Sequence, residues 1–367
     1  MSTNPLVELG RLGQSLWYDY ITRDLIASGR LARLIAEDGL RGMTSNPTIF
    51  EKAISGSEDY DDDIRQLAAL GRSPQEIFEA ISVADVQAAC DVFRPVYEAT
   101  GRADGLVSLE VNPELGDDTA GTIAEAKRLW NSVDRPNAMI KIPATAAGIP
   151  AIEESLAEGI SINITLLFSV ARYEEVIEAF FRGLERRRVA GQEVGAINSV
   201  ASFFVSRVDG RVDPQLDARG DPHKLRGTIA IANAGMAYAA FERTRATPRW
   251  GVLAEAGARA QRPLWASTST KDPAYPDIYY VEALLAADTV NTIPPDTLDA
   301  YRDHGKPELR IHEAMASAPR RLRQLAETGV DLDEVTRFLE EDGVAKFAAS
   351  YRQLVAGIEA KAAALVR

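Results

Sequence analysis

The chain has 367 residues, 46% hydrophobic and 26% charged, ordinary globular values with enough length to bury a sizeable core. Its 41 Lys and Arg against 54 Asp and Glu leave a formal charge of −13, which argues against nucleic-acid binding through a general basic field, so an anionic ligand needs a local basic pocket. The single cysteine, Cys90, rules out an internal disulfide framework and fits a reducing, cytoplasmic setting; no leader pattern opens residues 1–10, and no apolar run approaches the roughly 20 residues that span a bilayer.

Along the chain, short apolar runs alternate with longer stretches of helical period. Strands are expected at 16–20, 42–46, 105–111, 138–143, 161–166, 199–205, 263–267 and 289–292. The long connection 51–102 has room for extra helices. Its acidic cluster 58–63 reads as a solvated helix start, since it lacks the glycine and alternate-ligand spacing of a calcium loop. Within it, Ser73, Pro74 and Glu76 combine a capping box with proline at the first helical position. Residues 120–133 read as a helix with Ile123, Ala126, Leu129 and Trp130 on its apolar side, and 208–261 again has space for further helices. Residues 308–367 read as helices, clearest at 331–341 and 343–365. The last is alanine-rich and amphipathic, so it could cover the body of the fold or pack on a second subunit. Strand, crossover helix and strand, repeated eight times, predict an α/β fold: one (β/α)8 barrel over 1–367 with extra helices. An open doubly wound sheet is the alternative that pattern alone allows.

Side chains two apart on a strand share a face, and barrel enzymes place their chemistry at the C-terminal strand ends. Strand one puts Asp19 with Trp17, and strand two puts Asn46 with Thr44. The third, VSLEV, sets Ser108 and Glu110 opposite Val107, Leu109 and Val111; the fourth, MIKIPAT, sets Lys141 opposite Ile140 and Ile142. The fifth pairs Asn163 with Thr165, and the sixth groups Ser202 with Phe204 and leads to Arg207. If the apolar faces pack on the helices, these polar groups converge inside. A buried charge is costly unless it is paired or functional. The bland alternative is a Lys141–Glu110 salt bridge that merely plugs the barrel. The functional reading is that burial favours a neutral Lys141 amine able to attack a carbonyl, whereas a charged Glu110 beside it favours the ammonium. Glu110 or Asp19 can then serve as general acid or base, with Asn46, Ser202 and Thr165 bonding substrate hydroxyls. Arg207 can take a phosphate in its guanidinium fork, and Lys271 is a second candidate.

The segments GMTSNPTIFEKAI (42–54), VSLEVNPEL (107–115), MIKIPATAAGI (139–149), GISINITLLFS (159–169) and VASFFVSRVD (200–209) resemble transaldolase, and the likeness runs from about 19 to 294. The length and ASTSTKDPAYPDIYYVE (266–282) look like the longer bacterial branch. The resemblance implies transfer of a dihydroxyacetone unit from sedoheptulose 7-phosphate to glyceraldehyde 3-phosphate, in the non-oxidative pentose phosphate pathway, without cofactor or metal. It assigns Lys141 to the Schiff base, Glu110 with a water held by Thr165 to proton shuttling, and Asp19 to the C4 hydroxyl proton. Asn46, Asn163, Ser202 and Phe204 fall at substrate-binding positions, with Arg207 and Ser267 near the phosphate. The family often has a second phosphate arginine soon after that serine. Here Ser269, Thr270 and Lys271 follow, so Lys271 is the expected substitute.

The nearest rival is a related fructose-6-phosphate aldolase, a shorter lyase that typically has glutamine for Glu110 and tyrosine for Phe204; a non-catalytic barrel scaffold is a remote third. The scattered His223, His304 and His312 disfavour a zinc aldolase, and Gly116-Asp117-Asp118 is only a weak partial match to a thiamine diphosphate motif. Expected partners are phosphorylated sugars, not nucleic acid or membrane, with the chain a monomer or homodimer.

Overall fold

The computed structural model describes residues 4–365, and within them the apolar runs become eight strands closed on one another in sequence order. These are β1 (Gln14–Asp19), β2 (Gly42–Thr44), β3 (Leu106–Glu110), β4 (Ala138–Pro143), β5 (Ile162–Leu167), β6 (Ser199–Phe204), β7 (Arg262–Ala266) and β8 (Thr289–Ile293). Every neighbouring pair is parallel, including β1 with β8. Closure excludes the open doubly wound sheet. The expected (β/α)8 barrel with extra helices is the fold.

The apolar faces behave as alternation requires. Val107, Leu109, Ile140 and Ile142 are buried, while Lys141 sits in register between Glu110 of β3 and Asn163 of β5. The main departure is at β2, expected over 42–46, which stops at Thr44. Asn46 is instead the cap of helix Pro47–Ser55, its side chain accepting from the Ile49 N–H at 3.0 Å. Proline at the first helical position needs no amide partner, and the asparagine oxygen satisfies a donor the helix start leaves free. The cap also fixes Asn46 at the barrel mouth.

Both long connections hold the extra helices expected of them. The first contains Asp61–Ala69 and Pro74–Ala99, the latter opened by the Ser73–Glu76 capping box. Asp61, Asp62 and Asp63 occupy a first helical turn, where the helix dipole favours negative charge. The second contains Ser206–Ala218, Ile229–Arg245 and Pro248–Glu255.

The C-terminal region corrects a sequence expectation. The sequence reads clearest as two helices, 331–341 and 343–365, but one helix of 34 residues, Leu332–Leu365, runs through both stretches and through Gly343. Glycine serves close approach there: a Cβ on Gly343 would lie 3.0 Å from Leu166 Cδ2. This helix crosses the C-terminal end of the barrel and lowers Phe347 into the mouth. The last two residues of the expected 308–367 helical region, and residues 1–3 at the other end, lie outside the described residues. Gly343→Val should overpack this contact and cost roughly 1–3 kcal/mol. The urea midpoint checks this, and an unchanged midpoint would show that the helix seat is soft.

Candidate active site

The mouth encloses a cavity of about 470 Å³ at the C-terminal strand ends. Its floor is β4's Lys141, which is 5% exposed. The Lys141 Nζ donates to Glu110 Oε2 at 3.1 Å and to the Ser45 carbonyl at 3.2 Å, and lies 5.5 Å from the Phe347 ring centroid. The pairing of Glu110 with Lys141 in the sheet register brings the two groups together. Burial pushes the Glu110 carboxyl above its usual range, with Lys141 pulling the other way. Glu110 does not itself line the mouth; it stands behind the lysine.

Asp19, at the end of β1, faces the same cavity. Burial raises its carboxyl too, opposed by Lys141, by the Thr44 hydroxyl and by the more distant Arg207 and Lys271. Thr44 Oγ1 donates to Asp19 at 2.6 Å and lies 2.7 Å from Thr292 Oγ1. This threonine pair holds the aspartate's orientation, and sequence reading missed both members. Their positions on β2 and β8 are ordinary strand positions, and only closure of β1 between those strands reveals the contact.

Thr165 lines the cavity, its buried hydroxyl without a partner among the described residues. It precedes Leu166, a non-glycine residue in the left-handed region (φ 60°), where the β5–β6 register shifts. A bulge of this kind re-aims side chains at a strand end. A buried hydroxyl without a protein partner is suited to a ligand or an ordered water. Ser202 and Phe204 also line the mouth. Asn163 does not: it is fully buried beneath, donating to Ser108 Oγ at 3.0 Å and accepting from Ser202 Oγ at 2.6 Å. It braces Ser202 from below.

The far end of the cavity is cationic. Arg207 packs over Phe204, its guanidinium carbon 5.1 Å from the ring centroid, and its buried Nη1 has no partner among the described residues. Burial draws this guanidinium down from its usual value, yet an arginine stays charged, so it offers uncommitted donors to an anion. Ser267 sits beside it at the end of β7 in the left-handed region (φ 56°), its carbonyl accepting from the Ser206 N–H at 2.9 Å. Lys271 and Lys52 complete this rim. The cavity walls and then Arg207 draw Lys271 below the usual lysine value. In a chain of net charge −13, this is the local basic pocket that an anionic ligand requires.

A larger cavity of about 670 Å³ reaches from helices Pro74–Ala99 and Thr119–Val133 to the other side of Glu110 and Asn46, which also line it. Its arginines Arg72 and Arg128 are paired with Glu76 and Glu79, so neither a nucleophile nor a free cation marks it. Reactive groups converge at the barrel mouth. No helix among the described residues is long and apolar enough to cross a membrane.

Comparison with known proteins agrees with this geometry. The family model described as transaldolase/fructose-6-phosphate aldolase matches residues 16–358. A transaldolase of Acidothermus cellulolyticus is 52% identical over 97% of this chain and 96% of its own length. Those of Frankia alni and Thermobifida fusca are 51% and 50% identical, each covering 96% or more of both chains. The chain therefore belongs to the transaldolase/fructose-6-phosphate aldolase family of enzymes.

Proposed function

We propose that this enzyme works as a transaldolase through an imine on Lys141. It moves a dihydroxyacetone unit from sedoheptulose 7-phosphate to glyceraldehyde 3-phosphate, releasing erythrose 4-phosphate and forming fructose 6-phosphate. One observation carries the reading: a buried lysine amine bonded to Glu110 at 3.1 Å, in a cavity whose other end is lined by Arg207.

The Lys141 amine adds to the ketose C2 carbonyl. Glu110, through a water held at Thr165, carries the protons that turn the carbinolamine into the imine with loss of water. Asp19 takes the proton from the C4 hydroxyl as the C3–C4 bond breaks. The electron pair of that bond passes into the iminium, leaving an enamine. Burial suits Asp19 to this task, because it raises the carboxylate's basicity towards neutral pH. Asn46 and Ser202 bond substrate hydroxyls, Asn163 keeps Ser202 in place, and Arg207, Ser267 and Lys271 hold the phosphate. The enamine then attacks the acceptor aldehyde, and hydrolysis frees the lysine. No cofactor or metal enters this scheme. A cytoplasmic location suits phosphorylated sugar substrates and the lone, buried Cys90. The terminal helix brings Phe347 to the site, which supports treating the chain as one folding unit.

Transfer is favoured over release by Phe204, packed 5.2 Å from Phe168, centroid to centroid. An apolar ring there gives water no help in protonating the enamine, which then waits for an aldehyde. Fructose 6-phosphate and erythrose 4-phosphate together are expected to yield heptulose phosphate, with little free dihydroxyacetone when the acceptor is omitted. Steady dihydroxyacetone release without acceptor would make the enzyme a lyase. Borohydride with fructose 6-phosphate should trap an adduct on Lys141, and no adduct would favour a scaffold.

A further inference from the structure

Helix Ser206–Ala218 carries Arg207 at its second position and three aspartates, Asp209, Asp213 and Asp217, spaced four apart along one face. Asp209 and Asp213 are buried, and all three are used. Asp209 accepts from the Tyr280 hydroxyl at 3.0 Å and the Ala230 N–H at 2.7 Å. Asp213 accepts from the Tyr275 hydroxyl at 2.7 Å and the Gly227 N–H at 3.1 Å. Asp217 pairs with Arg226, whose other terminal nitrogen donates to Asp272 at 2.7 Å.

The side-chain partners, Tyr280, Tyr275 and Arg226, all belong to or reach the segment after β7, and that segment carries Lys271. Asp272 is the next residue. Gly227 shows how closely the pieces fit: its φ of 69° is left-handed, and a Cβ there would lie 2.7 Å from Tyr275 Cζ. Tyr275 also stacks on Tyr279, at 5.6 Å and 26°. Lys271 lies between a third cavity of about 280 Å³, lined by Asp213, Arg226 and Tyr275, and the catalytic mouth, which it also lines. Its ammonium bonds only Ser269 Oγ, at 2.8 Å, among the described residues. A lysine is a point charge on a flexible stem, so its value to a phosphate depends on how its backbone is held.

We propose that Asp213, Tyr275 and Arg226 are positioning residues that set Lys271 opposite Arg207, and so fix the enzyme's preference for phosphorylated over unphosphorylated sugars. This rests on Lys271 as a phosphate contact. One helix then places both cations: Arg207 directly at its start, and Lys271 through the carboxylates on its face. None of the three positioning residues lines the mouth, so the bond-making steps at Lys141 should be untouched by their loss.

The test compares wild type, Lys271→Met, Tyr275→Phe, Arg226→Gln and the Lys271→Met/Tyr275→Phe double variant. Readouts are KM and kcat for fructose 6-phosphate with erythrose 4-phosphate, and the rate of borohydride trapping with free dihydroxyacetone, which has no phosphate. Each single variant is expected to raise KM about 10-fold, the scale of a lost hydrogen bond to a charged group. Trapping with dihydroxyacetone should stay at the wild-type rate in Tyr275→Phe and Arg226→Gln, whose side chains do not line the mouth. The double variant should be no worse than Lys271→Met alone, because the clamp acts only through that lysine. If Lys271→Met leaves KM unchanged, the phosphate reading of Lys271 fails. If Lys271→Met raises KM but Tyr275→Phe and Arg226→Gln do not, the clamp proposal fails alone. Slower dihydroxyacetone trapping in Tyr275→Phe, or additive losses in the double variant, would likewise overturn it by showing a general structural role.

Discussion

Lys141→Ala is expected to abolish transfer, with kcat falling on the order of 10⁶-fold, the scale seen when an enzyme loses its nucleophile. The competing account is that Lys141 only neutralises Glu110 inside the barrel, and it predicts something different. A structural ion pair fails by destabilisation: removing one partner of a buried pair costs about 3–5 kcal/mol when the other charge is stranded. Here the stranded partner has an escape. Burial already pushes Glu110 upward, so the carboxyl can hold a proton once its lysine is gone, and the stability loss should fall below that range. Lys141→Arg sharpens the comparison. It keeps a cation against Glu110, but a guanidinium forms no imine. The variant should stay folded and inactive, with no borohydride adduct. Substantial turnover by Lys141→Arg, or mass spectrometry placing the adduct elsewhere, would remove Lys141 from the chemistry.

Much of this site could be read from the sequence, because the relevant rules are local. Period-two alternation put Glu110 and Lys141 inward on adjacent strands, and parallel register then made them partners. Arg207 was legible as the cation just beyond the SFF strand end. What escaped depended on distant chain meeting the site. Phe347, on the terminal helix, lies more than two hundred residues beyond Lys141 in sequence. An amphipathic pattern says that one face is covered but not by what, so the helix's destination stayed open. The continuity of Leu332–Leu365 was hidden for a related reason: glycine suits both helix ends and close contacts, and only the nearness of Leu166 gives Gly343 its role. Asn163 shows the limit of face assignment. It points inward as expected, yet one layer too deep, with its amide committed to Ser108 and Ser202. Thr44 and Thr292 brace Asp19 across the β8–β1–β2 closure, a contact with no local signature.

Glu110→Gln should separate proton shuttling from bond cleavage. Imine formation with fructose 6-phosphate is expected to slow by roughly 10²- to 10⁴-fold, the usual contribution of a general acid or base. The amide oxygen can still accept from Lys141, so the nucleophile's position should survive. The pH dependence of stability should change as well, and its sign follows from burial. Glu110 and Asp19 both have their carboxyls raised in the fold, with desolvation the largest cause. A group raised on folding binds more protons folded than unfolded. Its contribution is therefore full below the ordinary carboxylate value and is lost as pH climbs through the raised one. Above that window the wild type bears the cost of a buried carboxylate that the amide variant does not. Chemical denaturation from acid to neutral pH should thus show wild-type stability falling more steeply with pH than that of Glu110→Gln. In the pH profile of imine formation, the limb due to this carboxyl should lie above the ordinary glutamate range and vanish in the variant. An unchanged single-turnover rate of imine formation would reject the shuttle, and an unchanged pH limb would assign that ionisation to Asp19.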